Sequence, residues 1–228
     1  MASRRTYGSY NDGCASAHAL DLIGERWTLL VVRELLLGPK RFAELERDIL
    51  GLSPTVLSQR LRELEERGIV ERRTLPAPAR VDVYGLTPWG ARLEAVNAAL
   101  SAWAVESPNL PWDADMSPDT LVLAMRAHAR PVASVDGPVR VALTLEDSRL
   151  VDAPAVTYLA TVSAEGTTVE REAEPGPVDA EIHATTAEWK ACVIGGAPVE
   201  SRPGTRVVGR ADAAETVLLG TRLEVGSE

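Results

Sequence analysis

Residues 52–65 read Leu-Ser-Pro-Thr-Val-Leu-Ser-Gln-Arg-Leu-Arg-Glu-Leu-Glu, and this stretch decides the fold of the first half of the chain. Ser53 can accept a hydrogen bond from a free backbone N–H, and Pro54 suits the first helical position, where no donor is needed. The leucines repeat at intervals of four and three, the spacing of one helix face: Leu57, Leu61 and Leu64. The pattern predicts a helix that packs this stripe into a core and ends before Gly68.

The opposite face of this helix carries short polar side chains and a long forked donor, groups that suit base edges and phosphates. They are Thr55, Ser58, Gln59 and Arg62. A shorter helix after Lys40-Arg41, with Phe42, Leu45 and Ile49 facing inward, is expected just before it, and Gly51 makes the turn. Helix, tight turn and helix with a polar outer face is the recognition unit of a helix-turn-helix. Lys40, Arg41 and Ser53 are included among its predicted DNA contacts.

Two more helices are expected before this unit. Ala15 to Ile23 places Ala19, Leu20 and Ile23 on one face. A second helix is predicted from Glu25 to Gly38-Pro39, where proline cannot continue the hydrogen-bond ladder.

A hairpin is predicted after the recognition unit. Ile69 to Thr74 and Val81 to Thr87 are rich in β-branched residues and flank a stiff, proline-containing loop. Arg72, Arg73 and Arg80 can then approach phosphate or the minor groove, with Arg80 at the loop tip. Each basic residue taken singly could equally be a solvated surface arginine. Their joint arrangement favours a DNA-binding wing.

Four ordered blocks of sequence stand out between Tyr10 and Trp103. They are Leu22 to Leu30, Gly38 to Leu45, Leu52 to Glu65, and Leu86-Thr87. Together they resemble the HxlR family of winged-helix regulators. The resemblance implies a homodimer on an inverted-repeat operator, with the helix at Ser53 in the major groove of double-stranded DNA. Within the second wing strand, an extra residue relative to the family suggests a bulge near Gly85.

The helix expected after Thr87-Pro88 gives an independent indication of assembly. Its apolar residues alternate spacings of four and three over two heptads: Trp89, Leu93, Val96, Leu100 and Trp103. That spacing is typical of a coiled-coil seam, although two heptads could also be packed inside one chain. With Leu20 and Ile23, these residues form the predicted dimer interface.

Composition limits the protein class. The chain has 228 residues and a net charge of −9, which is unusual for a DNA-binding protein. The acid lies mostly in the second half: residues 1–105 hold 14 Lys and Arg against 13 Asp and Glu, which leaves 10 against 20 beyond. No membrane-spanning or secretory stretch is recognisable, and only Cys14 and Cys192 are present, so we expect a cytoplasmic bacterial protein without a disulfide framework, metal site or cofactor.

Three segments are predicted: a winged helix-turn-helix and dimerisation domain over 1–105, a proline-rich linker over 106–117, and an α+β domain over 118–228. In the last, a helix at Ser117-Pro118 precedes strands over Val139 to Leu145, Val156 to Val162, Thr167 to Glu172 and Val178 to Ala184, then a helix ending at Gly195-Gly196 and a final helix over Ala211 to Leu219.

The order of these elements, together with Asp179 to Thr185 and Val207-Val208-Gly209, resembles sterol-carrier-protein-like domains over about Met116 to Leu223. That resemblance implies an apolar cavity for a small molecule, with Leu143, Tyr158, Trp189 and Val193 as lining candidates. A core filled by these same side chains is the alternative.

The functional interpretation is a ligand-responsive repressor. One alternative is a redox-sensing regulator that uses Cys14, since a thiol near a helix N-terminus is stabilised as thiolate. Another is a lipid carrier whose winged helix contacts proteins. Catalysis is not indicated, because His18, His128 and His183 are isolated and no phosphate-binding loop occurs.

Overall fold

The computed structural model describes residues 9–77 and 80–223, and within it the chain forms two compact units that meet in sequence at Asn97 and Ala98. The first unit contains helices α1 (Ala15–Ile23), α2 (Thr28–Leu35), α3 (Phe42–Asp48) and α4 (Pro54–Glu66), strands β1 (Val70–Thr74) and β2 (Asp82–Leu86), and the short helix α5 (Pro88–Ala91). Helix α6 (Leu93–Val105) spans the boundary between the units.

The core of the first unit is built from the apolar faces that the sequence predicts. Leu57, Leu61 and Leu64 of α4 are buried together with Val31 of α2 and Leu45 of α3. The stripe on α4 is therefore confirmed. Gly68, with φ of 69°, ends the segment in a left-handed conformation that glycine adopts without strain.

The second helix begins later than predicted, at Thr28 rather than Glu25. Trp27 has φ of 77°, outside the helical region, so the helix cannot start before it. The Thr28 amide instead donates to the Glu25 carbonyl in a turn. The guanidinium of Arg26 stacks over the Trp27 ring at 4.8 Å from its centroid.

The predicted hairpin is present, with β1 and β2 antiparallel and Arg72 opposite Tyr84. Pairing continues without interruption through Gly85, which lies opposite Glu71, so the expected bulge is wrong. A single bridge widens the hairpin on the side of β2 that does not face β1. There the amides of Lys40 and Tyr84 each donate to the other's carbonyl, at 2.9 and 2.8 Å.

The helix after the wing is broken, whereas the sequence suggested a single one. Thr87 caps α5 by accepting a bond from the Gly90 amide at 3.0 Å, and a turn at Arg92 precedes α6. Gly90 packs directly on the start of β1: a Cβ there would lie 2.0 Å from the Ile69 carbonyl oxygen. This contact requires glycine.

The second unit contains α7 (Pro118–Ala127), β3 (Val139–Glu146), β4 (Val156–Val162), β5 (Thr167–Arg171), β6 (Ala180–Thr185), α8 (Thr186–Val193), β7 (Arg206–Gly209) and α9 (Ala213–Thr221). Its sheet has the order β5-β4-β3-β6-β7. Neighbouring strands are antiparallel except for β3 and β6, which run parallel at the centre. Residues 106–117 form neither helix nor strand.

Strands β3 to β6 and the helices of this unit lie close to their predicted positions, whereas β7 was not predicted as a strand. Thr185 caps α8 through its hydroxyl, which accepts a bond from the Glu188 amide, as the sequence indicated. Ala180 and Ile182 of β6 are buried while Glu181 between them is exposed. An α+β fold is thereby established for the second unit, and its predicted likeness to sterol carriers stays a prediction.

Helices long and apolar enough to cross a membrane are absent from the described residues. Over the same residues, no three His, Cys, Asp or Glu side chains gather in a way that could hold a metal ion.

Candidate nucleic-acid interface

Helix α4 presents the polar face that the sequence predicts. The Ser53 hydroxyl accepts a bond from the Val56 amide at 3.4 Å, and Pro54 follows at the first helical position. The exposed residues of the helix include all four predicted contacts, Thr55, Ser58, Gln59 and Arg62. The Gln59 side-chain amide donates to Glu63 at 2.9 Å, so it must leave that partner to reach a base.

Sequence reasoning missed a second arginine on α4. Arg60 is buried and donates to Glu63 at 2.6 Å, with Glu25 at 3.8 Å. The helical period places residue 60 on a different side of the helix from Arg62, and this period was the sequence signal that could have identified Arg60 as buried. Arg62 is exposed, whereas Arg60 is buried and pairs within the chain.

The wing carries exposed arginines, although two of them are already paired within the hairpin. Arg72 forms an ion pair with Asp82 and lies over the Tyr84 ring. The Thr74 hydroxyl and Arg72 both donate to Asp82, and they hold the pKa of its carboxyl below the usual value. Arg73 lies 3.8 Å from Glu71, and Arg80 is exposed with φ of 40° next to the loop.

The two basic residues ahead of α3 have opposite environments. Arg41 is exposed, and its amide donates to the Glu44 carboxylate at 2.6 Å to begin the helix. Lys40 is only 4% exposed, so its predicted contact with DNA is wrong. Its ammonium donates to Glu34 of α2 and Asp48 of α3, each at 2.8 Å. Sequence reasoning missed both carboxylates, because neither is adjacent to Lys40 in sequence.

A set of large apolar side chains lies exposed on α1, α5 and α6. Leu20, Trp89, Val96, Leu100 and Trp103 are 40 to 77% exposed, with Trp103 the most exposed of them. All thirteen residues of α6 fall within the described chain, and none is buried. Packing inside one chain, the alternative left open by the sequence, stays open beside the predicted dimer interface.

The other two residues predicted at the interface are placed differently. Ile23 is a member of the first unit's core and only 8% exposed, so its assignment to the dimer interface is wrong. Leu93 is half-buried against the same core. Between them opens a groove of about 270 Å³ whose lining includes Ala19, Trp89 and Val96.

The two cysteines differ in environment. Cys14 is exposed just before α1, and bonds from the backbone N–H groups of Ala17 and Ser16 lower the pKa of its thiol. The Cys14 amide itself donates to Asp12. Cys192 is buried in the second unit, and burial raises the pKa of its thiol.

The four predicted ligand-lining residues are all buried in the second unit. Leu143 and Tyr158 are neighbours across β3 and β4, while Trp189 and Val193 lie on α8. The Tyr158 hydroxyl donates to the buried Asp119 at 2.6 Å. Among the described residues, the Trp189 indole N–H has no hydrogen-bond partner.

A capped helix with a polar outer face, preceded by a helix and turn and followed by a two-stranded hairpin, defines the winged helix-turn-helix class. The family model described as HxlR-like helix-turn-helix matches residues 22–109. The chain belongs to this family. The assignment carries a general function with it: the protein is a DNA-binding helix-turn-helix transcriptional regulator.

Relatives in Bacillus subtilis illustrate the match. The uncharacterized HTH-type transcriptional regulator YvaP is 43% identical over 89 residues, which cover 39% of this chain and 82% of YvaP. The HTH-type transcriptional regulator YodB is 45% identical over 87 residues, or 38% of this chain and 77% of YodB. The solved structure of reduced YodB aligns over 42% of this chain and 95% of YodB at 39% identity, with a TM-score of 0.39.

Proposed function

We propose that the protein is a homodimeric, ligand-responsive repressor of the cytoplasm that binds an inverted-repeat operator. The observation that carries the proposal is the division of α4, which buries its leucine stripe and leaves Thr55, Ser58, Gln59 and Arg62 exposed. A helix supported in this way can enter the major groove, where hydroxyl, amide and guanidinium groups pair with base edges. Ser53 precedes α4 and Arg41 precedes α3, and both would contact phosphates.

The wing supplies the second contact. Arg80 would reach the minor groove or its phosphates, and Arg73 the adjacent backbone. Arg72 would contribute after exchanging Asp82 for a phosphate, because each charged partner in the hairpin must be displaced first. We place Arg80, which is exposed beside the loop, deepest in the minor groove.

The exposed stripe on α6 supports a dimer. An isolated helix of this length is marginal in water, so its stability must come from packing. Trp103, Leu100 and Val96 would supply that packing against a second copy. The two copies of α4 would then read major grooves about 34 Å apart.

The second unit would bind the effector, a small apolar molecule, between its sheet and helices. Leu143, Tyr158, Trp189 and Val193 supply an apolar environment, and the unpaired Trp189 N–H favours a molecule that also carries one hydrogen-bond acceptor. Regulation follows if the molecule prefers one arrangement of the two winged helix-turn-helix units in the dimer. Native mass spectrometry of the purified protein would detect a co-bound molecule, and stripping it should change operator affinity.

A thiol switch at Cys14 is the second candidate, favoured by the exposure of the thiol and its lowered pKa. Peroxide should then release DNA from the wild type but not from Cys14→Ser. Equal release from both would exclude the thiol.

The experiment for DNA binding starts from a duplex that the protein selects from a random-sequence pool. Its affinity is measured against salt for the wild type, Arg62→Ala and Arg80→Ala, with Arg206→Ala, an exposed arginine of β7, as control. Loss of one phosphate contact reduces the salt slope by about 1, whereas loss of a base contact lowers affinity by about 1–3 kcal/mol. Equal behaviour of all three variants and wild type would refute the assigned interface.

A further inference from the structure

Lys40 contacts three elements of the first unit at once. Its backbone pairs with Tyr84 of β2 in both directions, at 2.9 and 2.8 Å. Its ammonium lies between Glu34 of α2 and Asp48 of α3, 2.8 Å from each carboxylate. The wing strand, the helix behind it and the first helix of the helix-turn-helix therefore share one residue.

Two further charged groups near this ammonium come from the ends of the same two helices. Arg33 contacts Glu34 at 2.9 Å, and Arg47 contacts Asp48 at 2.7 Å. Arg47 and Lys40 together hold the pKa of Asp48 below its usual value although the carboxyl is buried. The Asp48 carboxylate thus stays ionised at neutral pH.

The choice of lysine here is unusual for this sequence. Lys40 and Lys190 are its only lysines, and arginine supplies every other strongly basic side chain. Lys190 also bridges two acceptors, the carbonyl oxygens of Trp112 and Ala114. A compact ammonium can bond to acceptors in several directions, whereas a guanidinium is planar and needs more room.

We propose that Lys40 is a positioning residue for DNA recognition, which fixes the wing relative to the recognition unit without touching DNA. The buried ammonium holds α2 and α3 together, and the backbone of Lys40 pairs with β2; we call this set of contacts the joint. Because α4 follows α3 after one turn, the joint sets the angle between α4 and the wing. Both can then contact one stretch of duplex together. The proposal rests on the DNA-binding function proposed above.

The test compares Lys40→Met, which keeps most of the aliphatic stem, with Lys190→Met, the same chemical change in the other unit. Affinities for the selected duplex and for a scrambled duplex are measured at temperatures where each variant is folded. We expect Lys40→Met to bind the selected duplex at least about tenfold more weakly near pH 8. Its affinity for the scrambled duplex should change much less, and Lys190→Met should match wild type on both.

The pH profile adds a readout that general destabilisation does not give. Without the ammonium, the buried carboxylates of Glu34 and Asp48 lose the cation that they share and keep Arg33 and Arg47 among their neighbours, which raises their pKa values. Protonation then relieves repulsion, so the affinity of Lys40→Met should recover as the pH falls from about 8 to about 5.5, while wild type shows no such recovery.

Amide exchange tests the joint without DNA. In Lys40→Met the amides of residues 40 and 84, which pair with each other, should exchange faster, while the amides that join β1 to β2 keep their protection. Uniformly faster exchange across the unit, with equal loss on both duplexes, would make the role purely structural and overturn the proposal. So would wild-type affinity and wild-type exchange in Lys40→Met. If wild type selects no duplex, the proposed function fails, and amide exchange still decides the joint.

A neutral variant covers the case in which Lys40→Met does not fold. Lys40→Met combined with Glu34→Gln and Asp48→Asn removes the buried charge while keeping side-chain shape. We expect it to fold, to lose pH dependence from the cluster and to exchange residue 84 faster, with weakened binding to the selected duplex at every pH. Wild-type affinity in this variant would show that Lys40 only neutralises its neighbours, and would overturn the positioning role.

Discussion

At the scale of single residues, environment separates side chains that look equivalent in the sequence. Lys40 and Arg41 are adjacent cations, yet one is buried between carboxylates and the other is exposed. Arg60 and Arg62 differ in the same way on α4. Only the outward member of each pair is available for a phosphate.

The two cysteines allow a prediction within one molecule. Iodoacetamide reacts with thiolate, so labelling of Cys14 should reach its half-maximal rate at a lower pH than labelling of a free cysteine, because backbone N–H groups lower its pKa. Cys192, buried and with a raised pKa, should label only after unfolding and serves as the internal control. Mass spectrometry of the two tryptic peptides measures both rates. A Cys14 profile identical to that of free cysteine would contradict the prediction.

Sequence reasoning placed exposed residues on α4 correctly because a helical period and a cap are local signals. It misassigned Lys40 because the carboxylates that bury it come from α2 and from the far end of α3, and pairing between separate elements leaves no periodic trace. It misassigned Ile23 for a related reason. An apolar stripe on a helix can pack into the chain's own core or against a partner, and which of its residues do which depends on how much of the helix the rest of the chain covers.

At the scale of elements, the junction between wing and α5 depends on close backbone contact. Gly90→Ala would place a Cβ 2.0 Å from the Ile69 carbonyl oxygen, so the backbone must move. We expect a loss of about 1–3 kcal/mol in the free energy of unfolding of the first unit, measured by denaturant titration. Gly137→Ala, where a Cβ meets nothing within 4 Å, should be within about 0.5 kcal/mol of wild type. Equal stability of the two variants would contradict the close contact.

The apolar stripe on α6 gives a second prediction at this scale. Leu100→Asp places a charge within the exposed seam and should convert the proposed dimer to monomer at micromolar concentration, since burying an unpaired carboxylate is unfavourable. Sedimentation velocity measures the change. Val151→Asp, at a valine that is 91% exposed, is the matched control and should remain dimeric. A monomeric wild type would contradict the interface itself.

Element boundaries show where local patterns stop being informative. Strands β3 to β6 of the second unit were predicted within a few residues, because alternation and turn residues mark them directly, whereas the short strand β7 was not predicted. The break at Arg92 was not predicted, because the apolar spacing continues across it from Trp89 to Leu93. The interruption follows from how Gly90 packs against the start of β1. The late start of α2 likewise depends on Trp27, whose left-handed conformation no sequence period records.

At the scale of the whole molecule, charge is unevenly distributed along the chain. Beyond residue 105 the sequence carries 20 acidic against 10 basic residues, and the whole has a net charge of −9. Such a molecule is repelled by duplex DNA at long range, so the proposed local contacts of α4 and the wing would have to supply the affinity.

This distribution predicts weak binding to arbitrary sequence. At physiological salt the Kd for a scrambled duplex should lie near 10⁻⁴ M, the weak end of the range of roughly 10⁻⁴ to 10⁻⁶ M for nonspecific binding. Fluorescence anisotropy measures it. Glu170→Gln with Glu172→Gln, two exposed acids at the end of β5, should tighten this binding while leaving the ranking of selected and scrambled duplexes unchanged. A wild-type Kd below about 1 µM on scrambled DNA would contradict the argument.

The engagement of both lysines has a practical consequence for locating this regulator on a genome. Formaldehyde joins proteins to DNA chiefly through lysine amines, and here one lysine is buried beside Glu34 and Asp48 while the other is bound to backbone carbonyls of the second unit. The candidate interface is an arginine surface. We therefore expect formaldehyde-based maps to record its sites poorly, and ultraviolet crosslinking, which does not depend on amines, to recover them.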